Sequence, residues 1–201
     1  MPLDPDAVLA AIADWAPGRR WYPLKGADAA LTLEALLPVS DDVAIALVRA
    51  GGATLQVPVA VRDEPGDAPI GIVDGRWLVD ATHDARALQA MLRPSDAIAV
   101  EGAVPPVDAA RVITSEQSNT SVIGDAEPPW IAKVFRVVDD GEHPDVAVTG
   151  ALTRSGCDRL PALLAASRAT WSAEGATRSA GLAAVSEFVA GADDAWTLVR
   201  D

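Results

Sequence analysis

Apolar and polar positions follow two rhythms along this chain. Near the start, Val8, Ile12 and Trp15 recur at i, i+4 and i+7, which places them on one face of a helix. Asp4 is positioned to cap that helix, Pro5 to open it and Pro17-Gly18 to stop it. The apolar run Val43 to Ala50, closed by Gly51-Gly52, reads as a strand entering a hairpin, with Thr54 to Val61 as its partner. Ile70 to Val73 and Arg76 to Val79 flank Asp74-Gly75 and predict a second hairpin. Leu31 to Leu37 fits a strand or a helix equally. Leu88, Met91 and Leu92 share a helical face, with Thr82 or Asp80 as cap and Pro94 as the stop, and Ala97 to Val100 is long enough for a short strand. Helices packed on one antiparallel sheet make an α+β unit.

The segment from Glu101 to Ala110 carries Pro105-Pro106 and no apolar periodicity, which sets a boundary between two units. Beyond it, strands are expected at Arg111–Ser115, Thr120–Gly124 and Trp130–Val137, with Asp139-Asp140-Gly141 as a turn. His143 can cap a helix that Pro144 opens and Gly156 ends. Leu160 to Arg168 and Leu182 to Phe188 read as a strand pair around a loop at Ser172–Ser179. Gly191 to Asp194 is polar, and Trp196 to Asp201 starts another helix. The organisation expected is therefore 1–104, 105–190 and a short last segment, 191–201.

Composition narrows the function. Of 201 residues, 50% are apolar, enough for a core rather than disorder. The formal net charge is −13, which argues against nucleic acid and anionic membranes as partners. Any polyanion site must raise a local positive field against that background. Cys157 is the sole cysteine, so no internal disulfide can form, and a reducing cytoplasm is the expected location. No run approaches the ~20 apolar residues that cross a bilayer, and no signal-peptide pattern opens the chain. The two histidines, His83 and His143, sit in no metal or nucleophile motif, and no carboxylate pair has metal-ligand spacing, so no catalytic or metal residue is assigned.

The stretch with most chemistry runs from Ser115 to Ile123, followed by Trp130-Ile131-Ala132-Lys133-Val134-Phe135. It reads as strand, tight polar loop, strand, and a third strand with an inward lysine. Gln117, Ser118, Asn119, Thr120 and Ser121 can bring hydroxyls, amides and loop N–H groups close to phosphate oxygens. Lys133 would add a point charge. A Ser/Thr turn beside a snorkelling lysine accounts for the same residues.

Glu116-Gln117-Ser118-Asn119-Thr120-Ser121-Val122, then Ala132-Lys133-Val134-Phe135-Arg136, then His143-Pro144-Asp145, resembles the N-terminal half of the actinobacterial maltokinases. Arg19-Arg20-Trp21-Tyr22 with Lys25-Gly26 resembles that family's cap signature, and Gly181-Leu182 through Glu187-Phe188 with Ala195-Trp196 resembles its interlobe strand and hinge. The resemblance implies an N-terminal cap, with a curved antiparallel sheet and packed helices, followed by a kinase-like small lobe of the aminoglycoside-phosphotransferase type. It implies ATP as cofactor, with phosphates under the polar loop and on Lys133, and adenine beside Glu187 and Val189. Mg²⁺ is expected only in the complete enzyme, which makes maltose 1-phosphate from maltose in trehalose and α-glucan metabolism. The family's helix glutamate, in the pattern Asn-Pro-Asp-apolar-Glu, is Ala147 here, leaving Asp145 or Glu142 to replace it. The expected partners are ATP, a sugar or oligosaccharide, and a second copy or a trehalose-synthase-type protein. A stand-alone module for protein–protein contact, and part of a glucosamine or aminoglycoside kinase, are the alternatives.

Overall fold

The computed structural model describes residues 3–26, 29–107, 109–113 and 118–191. The fold is α+β, built on two antiparallel six-stranded sheets. The first helix, α1 (Pro5–Trp15), starts where Asp4 Oδ1 accepts from the Asp6 amide at 3.1 Å. Its buried Val8 and Ile12 lie on the first sheet, which contains β1 (Leu31–Pro38), β2 (Val43–Ala50), β3 (Ala53–Arg62), β4 (Pro69–Val73) and β5 (Arg76–Asp80). The ambiguous Leu31–Leu37 segment is therefore a strand. Gly71 on β4 lets α1 approach, since a Cβ there would sit 3.0 Å from Ala11 Cβ.

Strand β2 is buried on both sides. Ala44, Ala46 and Val48 cluster with Val8 and Ile12, while Ile45 and Leu47 cluster with Phe135, Trp171 and Leu182 of the second sheet. Two-sided burial explains why this strand is continuously apolar rather than alternating. The second sheet runs in the order β6 (Ile98–Gly102), β11 (Leu163–Ala173), β12 (Ala176–Glu187), β9 (Trp130–Phe135), β8 (Asn119–Asp125), β7 (Ala109–Ile113).

Several elements differ from the sequence expectation. The strand at 98–102, read with the first unit, pairs with β11 and so belongs to the second sheet. The expected strand Trp130–Val137 breaks at Arg136. Its last residues form β10 (Val137–Val138), which leaves the second sheet and pairs with β3 of the first. Thr82 caps no helix. Asp80 caps the 3₁₀ turn Ala81–His83, and Asp84 caps α2 (Ala85–Met91) by accepting from the Ala87 amide. The expected loop at Ser172–Ser179 is nearly all strand. Only Glu174 and Gly175 turn, both at positive φ (53° and 77°), as the tightest hairpins require. Arg168, Thr170 and Ser172 point outward between the buried Ala169, Trp171 and Ala173, so the polar residues mark an alternating strand rather than a loop. The helix expected at Trp196–Asp201 lies outside the described residues.

Polar groups tie the sheets together. Gln56, fully buried on β3, donates through Nε2 to the Phe135 and Leu182 carbonyls, each at 3.0 Å, and its amide donates to the Arg136 carbonyl at 2.8 Å. Arg136, 1% exposed, gives Nη2 to Asp80 at 2.6 Å and to the Thr82 hydroxyl at 3.0 Å, and Nε to the Thr120 hydroxyl at 2.8 Å. Its guanidinium lies 5.0 Å from the Trp21 ring centre. Arg19 lies over the Trp15 ring, 4.9 Å from its centre.

Gly124 faces Trp130 directly across the β8–β9 ladder, and a Cβ at 124 would overlap the buried Trp130 indole. Gly124→Ala should lower stability by about 1–3 kcal/mol, the usual cost of overpacking. Urea unfolding followed by tryptophan fluorescence measures it. An unchanged midpoint would show that the indole has room to move.

Candidate functional site

The ladder of β8, β9 and β12 sorts the candidate residues onto two faces. Ser121, Lys133 and Ala184 pair directly across the three strands and share one side, and Ile123, Ile131 and Ser186 form the next row. The other side carries Val122, Ala132 and Val185, and then Thr120, Val134 and Ala183. The apolar members of that second face are buried in the core against Val43 and Ala60 of the first sheet. Lys133 is therefore on the face turned away from the first sheet.

Helix α3 (Pro144–Arg154) closes a cleft over this face. His143 caps it, accepting from the Asp145 amide on Nδ1 at 3.1 Å, and Pro144 occupies its first turn. Glycines allow the helix start to sit down on β12. Gly141 donates to the Ser179 carbonyl at 2.6 Å and accepts from the Gly181 amide at 3.3 Å. A Cβ at Gly181 would come to 3.1 Å from His143 Cβ. The His143 ring stacks flat on Phe135, with centres 3.5 Å apart. The cleft so formed holds about 370 Å³ and is lined by Ser121, Lys133, Pro144, Asp145, Val148 and Ser186, among others.

Within it, Lys133 Nζ donates to Asp145 Oδ2 at 2.7 Å. Asp145 reaches the lysine from the first helical turn, as one of the two carboxylates considered above. Both side chains are partly exposed, so the pair is worth at most about 1 kcal/mol and serves to orient the ammonium rather than to stabilise the fold. Ser121 is only 2% exposed, and its hydroxyl finds no hydrogen-bond partner among the described residues. A buried hydroxyl of this kind on the wall of a cleft can still donate to a ligand oxygen.

The other sequence candidates separate. Asn119, on the same strand parity as Ser121, donates to the Ser118 hydroxyl at 3.3 Å. Asn119, Thr120 and Ser121 are strand residues laddered to Phe135, Val134 and Lys133, not a free turn. Thr120 faces the core, where its hydroxyl is taken by Arg136. Gln117 lies outside the described residues. The Glu187 amide donates to the Ala162 carbonyl at 3.1 Å and its carboxylate accepts from the Ala162 amide at 3.0 Å, while the neighbouring Val189 is 55% exposed. The sequence reading missed Arg136. Its even spacing from Trp130, Ala132 and Val134 was the available signal that it points inward.

The charges in the cleft shape its titration. Asp145 is held below its ordinary 3.8, chiefly by the Lys133 hydrogen bond, against the opposing effect of burial. His143 is held below its ordinary 6.5, first by burial and then by the Lys133 charge, with Asp145 pulling the other way.

Residues 15–84 match the family model of the maltokinase N-terminal cap domain, which bears out the resemblance read from Arg19-Arg20-Trp21-Tyr22. The fold matches a structure of glucosamine kinase in complex with glucosamine, ADP and inorganic phosphate, at a TM-score of 0.60 and 23% identity over 94% of this chain. A second crystal form of glucosamine kinase matches at a TM-score of 0.56 and 24% identity over 87% of this chain. The chain spans only 43% and 39% of those two structures, respectively. Among the described residues, no helix is long and apolar enough to cross a membrane.

The two depressed groups of the cleft contribute to the acid response. The unfolded chain binds a proton at residue 143 more readily than the folded chain does, so stability should fall as pH drops below about 6.5. The Asp145 contribution is present above pH 3.8 and is lost only as pH falls through its lower folded value. His143→Asn keeps a good helix cap but does not titrate. Urea midpoints of wild type should fall between about pH 7.5 and 5.5, and those of the variant should fall less. Equal slopes would remove residue 143 as the cause.

Proposed function

We propose that these residues form the cap and nucleotide-facing lobe of a phosphotransferase that passes a phosphoryl group from ATP to a sugar hydroxyl, with maltose as the acceptor. The observation that carries this reading is Lys133, held by Asp145 inside a cleft whose wall offers the unpartnered Ser121 hydroxyl. Nucleotide phosphotransfer rests on positioned phosphates and charge stabilisation more than on covalent chemistry by the protein. A lysine oriented by a helix carboxylate, on a strand beside a second strand that offers the unpartnered Ser121 hydroxyl, suits that task. The maltokinase cap match supports maltose, and the glucosamine kinase fold match supports an amino sugar as the second choice.

In this reading Lys133 binds α- and β-phosphate oxygens, Asp145 keeps its ammonium turned into the cleft, and Ser121 and Asn119 donate from β8. The exposed Val189, just past the interlobe strand, is assigned to the adenine side, with main-chain rather than side-chain contact. Glu187 is assigned a structural part there, since Ala162 occupies its amide and its carboxylate. Metal binding and acceptor activation are assigned to the remainder of such an enzyme, so these 201 residues should bind nucleotide weakly and not turn it over.

Calorimetric titration with ATP tests the reading. Lys133→Ala should weaken binding about tenfold or more, the value of one charge-assisted contact. Equal affinity in the variant would sink the assignment. A coupled assay for maltose-dependent ADP formation should read background, and clear turnover would show that the catalytic groups lie within these residues.

A further inference from the structure

The cap match ends at residue 84, yet its last residues reach the strand that bears the candidate phosphate donors. Asp80 and Thr82 hold Arg136 Nη2 at 2.6 and 3.0 Å, and Arg136 Nε is turned to Thr120 Oγ1 at 2.8 Å. All four residues are buried, at 6% exposure or less. Thr120 sits between Asn119 and Ser121, whose side chains have the opposite parity, and Ser121 lines the cleft. A movement of Thr120 therefore moves both neighbours.

Strand β8 is laddered to β9 on one side and to β7 on the other. Beyond β9 the sheet continues with β8 and then β7, so β7 is the edge strand on this side. Ala110 and Val112 of β7 pack in the cluster that contains Ala81, which places the Ala81–His83 turn under the same hairpin. A buried Asp80–Arg136 pair alone would join the two sheets. Delivering Nε–H to Thr120 extends that join to the hairpin.

We infer that Arg136 is a positioning residue through which the cap fixes β8, and with it Asn119 and Ser121, relative to Lys133. Its relevance to nucleotide binding rests on the function proposed above, whereas the mechanical coupling does not. The cap is thereby part of the binding apparatus, and a change at Asp80 or Thr82 is felt in the cleft on the far face of the sheet.

Thr120→Val removes the acceptor and keeps the branched shape, and Thr120→Ser keeps the hydroxyl. Amide hydrogen exchange on the 201-residue chain should show residues 119–125 losing protection about tenfold in Thr120→Val, more than any loss in 43–62 of the cap sheet, with Thr120→Ser restoring it. Thr120→Val should also bind ATP several-fold more weakly, again restored by serine. Wild-type protection at 119–125 in the valine variant, uniform loss across both sheets, or failure of serine to restore protection would each overturn the relay. Failure of the wild-type chain to bind ATP would overturn the proposed function instead, and the exchange data would still decide the relay.

Discussion

The structure depends on a guanidinium buried between two sheets. Arg136 is among the largest fully buried side chains, and its charge is matched by Asp80, Thr82, Thr120 and the face of Trp21. A charge this deep is tolerable only when paired and hydrogen-bonded, and removing one partner of such a pair costs about 3–5 kcal/mol. The partners come from the first sheet, the turn after it, the second sheet and the segment following α1. Pairing one ion through Nε and Nη2 therefore fixes how four separate pieces of chain meet, while Nη1 finds no partner among the described residues. An apolar residue could fill the same space, but it would not dictate which turn faces which strand.

The same constraint explains why the two sheets are not independent units. Strand β9 cannot run on past Phe135, because Arg136 must turn to Asp80 and its carbonyl must meet the Gln56 amide. The chain then pairs with β3 for two residues as β10 before it enters the Gly141 turn and α3. The register of β10 thus sets where α3 begins. Gly141 and Gly181 permit the close seat, and His143 completes it by capping the helix and stacking on Phe135. Asp145 arrives opposite Lys133 as the result of that chain of contacts.

Much of this was legible in the sequence, and the failures have physical causes. The hairpins around Gly51-Gly52 and Asp74-Gly75 were plain, because turn chemistry and apolar runs agreed. The α3 start was plain for the same reason, with His143 and Pro144 in capping positions. The long β11–β12 hairpin was misjudged where Ser and Thr were weighed by composition rather than by their alternation with Ala and Trp. Leu31–Leu37 could not be settled locally, since only pairing with β2 decides it. The candidate site was half legible. Lys133 and Ser121 share a face by parity, but the same parity puts Thr120 on the other. The part played by Asp145 needed the position of the helix, which no local pattern supplies.

The carboxylate that holds Lys133 stands in the first turn of α3. Asp145 lies where the helix N-terminus favours negative charge, in the same direction as the Lys133 hydrogen bond that holds its carboxyl below the ordinary value. The pair is partly exposed, and its small net energy leaves Lys133 free to exchange one anionic partner for another at little cost. Lys133 is the one cation among the described residues lining the cleft of a chain with net charge −13. Long-range attraction for a polyanion is therefore weak here, and any affinity proposed for this cleft rests on short-range geometry. That makes the placement of the neighbouring hydroxyl on Ser121 matter more than it would in a basic protein. The cap's hold on the adjacent Thr120 is what the fold offers to secure it.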